Sequence, residues 1–246
     1  MLPALSVVIL CYRSGQKIRR YVQEVIEELE KVLPSRWEII LVGNYLEGVE
    51  DETPEVVREI ARQDSRIKAI TLVKQGMMGW DARIGLKEAR GETIALIDGD
   101  GQIAAGDLIR VYKKLKAEDL DLVKTYRFKR YDGLKRRLIS WLYNLTFSIL
   151  FPGRPVRDVN AKPKILRREA YARLELKSND WFLDAEIMIE SRRLKFRIAE
   201  LPAIFYPSRY RPSLVKGEAI LEFVKNMVRA RWPRPVRERI NSGGQG

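Results

Sequence analysis

The stretch Thr93-Ile-Ala-Leu-Ile-Asp-Gly-Asp-Gly-Gln102 decides the fold. Thr93 to Ile97 are apolar or β-branched, the composition of a short buried strand, and the run stops at two carboxylates separated by one glycine. Ligands of a parallel α/β sheet gather beyond the carboxyl ends of its strands, which puts Asp98 and Asp100 at the mouth of a cleft. Alternate residues of an extended segment face opposite sides, but Gly99 and Gly101 free the backbone to turn, so that Asp98, Asp100 and the Gln102 carbonyl group converge on one hard cation. Mg²⁺ or Mn²⁺ carrying a diphosphate relieves the repulsion between the acids, which points to a nucleotide-diphosphate site. Asp-Gly is also ordinary turn chemistry. What separates the two readings is context, since the pair follows a strand in a chain that has alternated strand and helix signals up to that point.

Working outward toward the N-terminus, Leu5 to Cys11 is apolar throughout, as in a strand buried on both faces. From Gln16 to Leu33 the apolar residues recur at helical spacing, and Trp37 to Val42 is a second apolar strand ending at Gly43-Asn44. A helix enters at Thr53-Pro54, with Thr53 as its expected cap, and Ile67 to Val73 reads as a third strand. The loop Lys74 to Gly79 and a helix from Asp81 to Ala89 complete the alternation. The single cysteine, Cys11, excludes an intrachain disulfide and fits a reducing compartment. The absence of histidine excludes an imidazole base and a His-ligated zinc.

At this point the chain resembles the inverting family 2 glycosyltransferases of the GT-A fold, and most of all their dolichyl-phosphate mannose synthase branch. The matching residues are Ser6-Val-Val-Ile9 with Tyr12, Glu38-Ile-Ile-Leu-Val42, the glycine-bearing segment Gly76 to Gly91, and Asp98-Gly-Asp-Gly-Gln102. The resemblance implies an α/β fold with a mostly parallel central sheet flanked by helices, and amphipathic interfacial helices in the second half. It implies that Asp98, Asp100 and Gln102 hold the divalent metal, and that Tyr12, Asn44 and Gly76 meet the donor. Where the family carries two aspartates after the second strand this chain has Gly43-Asn44. Asn44 offers hydrogen bonds without a charge.

The net charge of +13 is uneven. Residues 1–123 hold 18 Lys/Arg against 21 Asp/Glu, a net of −3, and residues 124–246 hold 28 against 12, a net of +16. The anionic partner therefore belongs to the second half, and a phosphorylated substrate, an anionic membrane surface or a nucleic acid each fits the sign. Asp121 to Tyr126 reads as a strand, and six cations fall between Arg127 and Arg137. Leu138 to Phe151 then runs fourteen residues without a charge, too short to span a bilayer. That run suits a helix lying in a lipid interface and equally a helix buried in the core. Asp158-Val-Asn-Ala-Lys-Pro-Lys164 keeps the acid and the final cation of a family pattern that reads Asp, two residues, then Ser-Gly-Phe-Arg. The helix Asp184 to Leu194 opens with acids, where Asp184 reads as a cap, and Lys195 to Glu200 and Ala203 to Tyr206 read as strands around Pro202.

The resemblance assigns Arg127, Arg137, Ser140, Asp158, Lys164, Glu186 and Ser213 to the acceptor. It assigns Arg209, Arg211 and Lys216 to a basic loop over the donor pyrophosphate, with Asp100 and Arg209 as the catalytic pair. These residues predict one GT-A domain over 1–240, comprising a nucleotide-sugar half (1–123) and an acceptor and membrane-facing half (124–240), with a disordered tail at 241–246. The expected reaction is inverting transfer of a hexose, mannose from GDP-mannose or glucose from UDP-glucose, to a polyprenyl or dolichyl phosphate. The expected setting is peripheral, on the cytoplasmic face of a membrane. A phosphate acceptor is already an anion and needs no general base. A sugar-hydroxyl acceptor is the alternative and requires a carboxylate base such as Asp158, Asp184 or Glu186. A basic nucleic-acid-binding module is the other, but it leaves Asp98-Gly-Asp100 without a purpose and lacks interleaved aromatics, so no nucleic acid is expected.

Overall fold

The computed structural model describes residues 2–131, 134–153, 155–207 and 225–231. Its strands are β1 (Leu5–Leu10), β2 (Trp37–Val42), β3 (Ile67–Ile70), β4 (Thr93–Asp98), β5 (Leu122–Arg130), β6 (Lys164–Arg167) and β7 (Ile198–Phe205), in a single sheet ordered β3-β2-β1-β4-β6-β5-β7. Every pair is parallel except those made by β6, which runs against both β4 and β5. Leu10 is in register with both Val42 and Asp98, so β1, β2 and β4 end flush at one rim. The apolar runs explain the burial, because strands covered by helices on both faces have no solvent side to present polar residues to.

The helices are α1 (Ile18–Val32), α2 (Thr53–Gln63), α3 (Met78–Glu88), α4 (Ala105–Ala117), α5 (Leu134–Leu150), α6 (Arg168–Ala172) and α7 (Leu183–Arg193), with a further helical segment at 225–231. One apolar layer packs α1, α2 and α4 on the sheet, through residues such as Val25, Leu29, Val57 and Leu108. The other packs α3, α5 and α7 through Leu86, Phe147, Leu183 and Met188.

Several sequence expectations change. Thr53 is the first residue of α2 and caps nothing there. Its hydroxyl donates to Asp51 at 2.5 Å and accepts the Gly15 N–H at 3.0 Å, tying the turn after β1 to the start of α2. The third strand stops at Ile70 because the Leu72 N–H is taken by the Asn44 side chain at 2.8 Å. The two strands expected around Pro202 are one, β7, with Pro202 in register with Tyr126. Proline is tolerated because β7 is the sheet's edge, where a missing N–H breaks no ladder. β6 carries too little contiguous signal to be read from its residues alone, whereas α4 was missed although its buried Leu108, Ile109, Tyr112 and Leu115 stand at helical spacing.

Candidate active site

The turn after β4 is shaped by two glycines for different reasons. A Cβ on Gly99 would lie 3.0 Å from the Leu10 carbonyl oxygen and 2.8 Å from the Ile18 side chain, and the Gly99 N–H donates to that same carbonyl at 2.9 Å. Gly101 has a φ of +66°, a conformation L side chains rarely adopt. The Gln102 N–H then donates to Asp100 Oδ1 at 3.1 Å, closing the turn. Asp98 and Asp100 line one small cleft together with Arg127, Lys162 and Phe205, of about 70 Å³. That space suits a hydrated cation or one phosphate group rather than a whole nucleotide sugar.

Gln102 stands beside this cleft and not among its lining residues. Its side-chain amide donates to the Tyr206 carbonyl at 3.1 Å and its own carbonyl accepts the Tyr206 N–H at 2.9 Å. It thereby fastens the end of β7 to the acid turn.

Behind the acids lies a layer of buried charge. Lys162 Nζ is 3.3 Å from each oxygen of Asp98 and 2.9 Å from Asp184 Oδ2, while Lys164 Nζ is 2.5 Å from Asp184 Oδ1. Burial raises the Asp184 carboxyl, but the two ammonium groups outweigh it and hold Asp184 below the usual carboxylate range. Burial lowers Lys162 as well, and Asp184 and Asp98 more than reverse this, leaving it above an ordinary lysine. Burial dominates for Lys164, only partly offset by Asp184 and reinforced by Lys124 and Lys162, and pushes it down to about 8. Asp184 is therefore an ionic hub and no helix cap. Lys164 is fully buried in this layer and does not reach the cleft, contrary to its expected place at the acceptor.

On the other wall, Arg127 grips Asp158 through Nε at 2.5 Å and Nη2 at 2.7 Å, and donates to the Ser140 hydroxyl at 3.4 Å. Burial raises Asp158, yet the Arg127 charge and hydrogen bonds, helped by Lys124, hold it well below the usual range. The structure thus brings Arg127, Ser140 and Asp158 together as the sequence expected, and shows that Asp158 is committed to a cation. Glu186 accepts the N–H groups of Lys177 at 3.0 Å and Ser178 at 2.9 Å, which fixes a loop, and it is not among the residues lining the cleft. Arg137 is exposed on the first turn of α5. Arg209, Arg211, Ser213 and Lys216 lie outside the described residues, as does the tail at 241–246.

The donor-side expectations change too. Asn44 is fully buried, donating to Asp81 at 2.9 Å and accepting from Leu72, so it braces the sheet end and has no surface to offer a nucleoside. Asp81 also pairs with Lys74, whose ammonium sits 4.7 Å from the centre of the Tyr12 ring. Gly76 and Gly79 are glycines because a Cβ on either would run into the backbone of Asn179 or Asp180, whose carbonyls accept the N–H groups of Met77, Gly79 and Trp80 at the start of α3. Gly76 serves packing where donor contact was expected.

Lys162 was missed by sequence reasoning. Its only signal is that a lysine stands where the family pattern after Asp158 has glycine.

A flush rim of parallel strands, an acid turn at the end of β4 and a reversed β6 beyond it make up a sheet of the GT-A glycosyltransferase fold. The chain matches Glycosyl transferase family 2 over residues 6–175, and it belongs to that family. It is similar to the glycosyltransferase AglD of Haloferax volcanii, 26% identical, over 96% of this chain and 38% of the relative. It is also similar to a dolichyl-phosphate beta-glucosyltransferase of Trichomonas vaginalis, 26% identical, over 80% of this chain and 64% of the relative. A dodecaprenyl-phosphate galacturonate synthase of Rhizobium johnstonii is 28% identical over 70% of this chain and 50% of its own length. The chain thus spans 38% to 64% of the length of these curated relatives. Among solved structures, glucosyl-3-phosphoglycerate synthase of Mycobacterium tuberculosis, in complex with Mn²⁺, UDP and glucosyl-3-phosphoglycerate, shares the fold. Its TM-score is 0.70 at 18% identity, covering 93% of this chain and 80% of that one.

Proposed function

We propose that this chain transfers a hexose, mannose from GDP-mannose or glucose from UDP-glucose, to a polyprenyl phosphate at a membrane surface, inverting the anomeric carbon. The observation that carries the reading is the state of the carboxylates around the cleft. Asp158 is neutralised by Arg127 and Asp184 by two lysines, and Glu186 is spent on backbone N–H groups, so none is poised to take a proton from a sugar hydroxyl. An acceptor that is already an anion asks for no base, and the Arg127 guanidinium lines the cleft wall, where its charge favours an anion.

Asp98 and Asp100 fit a divalent cation in donor chemistry, since both are hard oxygen donors, both line the cleft, and the turn that presents them excludes any side chain at Gly99. Bound there, Mg²⁺ or Mn²⁺ would supply positive charge to the departing diphosphate. The solved GT-A neighbour in complex with Mn²⁺ and UDP, and relatives named for dolichyl and dodecaprenyl phosphates, support the same assignment.

Lipid access comes from α5. Tyr143 and Phe147 pack it onto the core, while Leu138, Trp141, Leu142, Leu145 and Ile149 form an exposed stripe on another side. Leu138 to Phe151 thus has one face buried and one bare. No helix among the described residues is long and apolar enough to cross a membrane. The stripe, following a basic segment, suits a helix resting in the lipid interface.

The test is Asp100→Ala. Sugar transfer to a polyprenyl phosphate should fall by about 100-fold or more with the fold retained, as read by circular dichroism. Full activity in that variant would end the assignment. Thermal-shift titration with GDP-mannose and UDP-glucose, each with and without Mn²⁺, identifies the donor.

A further inference from the structure

Lys162 lines the cleft and also pairs with Asp184 in the buried ionic layer behind it. Its side chain is 5% exposed, while that of Asp98 is 40% exposed, so the ammonium meets Asp98 from the protein side and leaves the carboxylate's other side to the cleft. The placement is held from behind. Asp184 accepts from Lys162 at 2.9 Å and is itself fixed by Lys164 at 2.5 Å, and neither partner has solvent into which to relax. The ammonium is also equidistant, at 3.3 Å, from the two oxygens of Asp98, the same atoms a divalent ion needs.

A resident positive charge on those oxygens has two consequences. It neutralises part of the charge that attracts a metal, and it repels any cation that shares the carboxylate at contact distance. A diphosphate reverses the balance, because its negative charge is attracted by metal and ammonium alike. We propose that Lys162 is a built-in competitor for Asp98, so that the free enzyme holds Mn²⁺ or Mg²⁺ weakly and the metal enters together with the donor's diphosphate. Lys162 thereby acts as a positioning residue that couples metal binding to donor binding. The inference rests on the metal assignment above and adds an order to it.

The experiment is a titration of the full chain with Mn²⁺, followed by loss of the free-ion signal in electron paramagnetic resonance, with and without UDP or GDP. Wild type should bind Mn²⁺ at least about tenfold more tightly when the nucleoside diphosphate is present. Lys162→Met should bind Mn²⁺ alone about tenfold more tightly than wild type, and the nucleotide should then add much less. Lys162→Gln removes the charge while keeping a donor for Asp184, and should behave in the same direction if Lys162→Met fails to fold. Mn²⁺ affinity without nucleotide that is equal to or weaker than wild type, in a variant with an unchanged circular dichroism spectrum, would overturn the proposal. So would a wild type whose Mn²⁺ affinity ignores the nucleotide. Failure of wild type and variants alike to bind Mn²⁺ under any condition would instead bring down the metal assignment itself, and this inference with it.

Discussion

Between Leu96 on β4 and Lys164 on β6, register partners in adjacent strands, the inward face of the sheet changes from hydrocarbon to ammonium. On one side the same cross-strand row continues through Val8 to Ile40, all buried among apolar neighbours. On the other it continues through Lys124 to Glu200, with Lys164 and Lys124 both fully buried. The apolar half is held by non-directional burial, for which any apolar side chain of similar volume and shape serves. The ionic half depends on named partners: Lys124 donates to the carbonyls of Thr125 and Asp158 and pairs with Glu200, and Lys162 and Lys164 converge on Asp184. Charge is costly to bury unless paired, so this half is specified by contacts and not by volume. The layer also lies directly behind Asp98 and beside Arg127, where a fixed arrangement of charge matters to chemistry.

The contrast is sharpest in a pair of substitutions. Asp184→Asn leaves two buried lysines short of a counter-charge and should cost about 3–5 kcal/mol. Ile40→Val, in the apolar half of the same row, should cost about 0.5–1.5 kcal/mol. Urea unfolding measures both, and equal losses would erase the distinction between the halves.

A smaller effect appears on acidification. Asp158 is held below the usual carboxylate range in the folded protein, and so is Asp184, so their contribution is fully present above about pH 5 and is lost as pH falls toward the folded values. The urea midpoint should therefore drop between about pH 5 and pH 3, and Asp158→Asn should flatten that drop. A wild-type midpoint that stays level over this interval would contradict the pairing of Asp158 with Arg127.

The smallest effect on stability is expected outside both halves. Leu145→Ser with Ile149→Ser, on the exposed stripe of α5, should change unfolding by no more than about 0.5 kcal/mol per site. Co-sedimentation with anionic vesicles should nonetheless fall several-fold. Unchanged vesicle binding would remove α5 from the membrane-facing surface.

Much of the fold was legible, and unevenly so. β2 is found where Trp37 to Val42 was read, and β1 and β4 each within a residue of their reading. β6 was missed: its four residues, Lys164-Ile-Leu-Arg167, carry charges at both ends and make no recognisable run. At the site, Asp98, Asp100, Arg127, Ser140 and Asp158 were expected and come together, whereas Asn44, Lys164 and Glu186 were expected at ligands and are spent on structure. In each of these three cases the residue type suits a ligand, and the deciding fact is a partner elsewhere in the chain. Asn44, for example, looks like a nucleoside contact until Asp81, 37 residues away, takes its amide.

The sequence by itself determined the strands of the first half and the acid turn, because both are set by neighbours: contiguous apolar residues make a buried strand, and alternating glycines free the backbone between two carboxylates. Only the tertiary structure decided which charges are buried and whom they meet. Lys162 and Lys164 find Asp184 at separations of 22 and 20 residues, and Lys124 finds the Asp158 carbonyl at 34. A charge carries no mark in the sequence of whether it will face water or a counter-charge, since its energy is set by what the folded chain brings within a few ångströms of it.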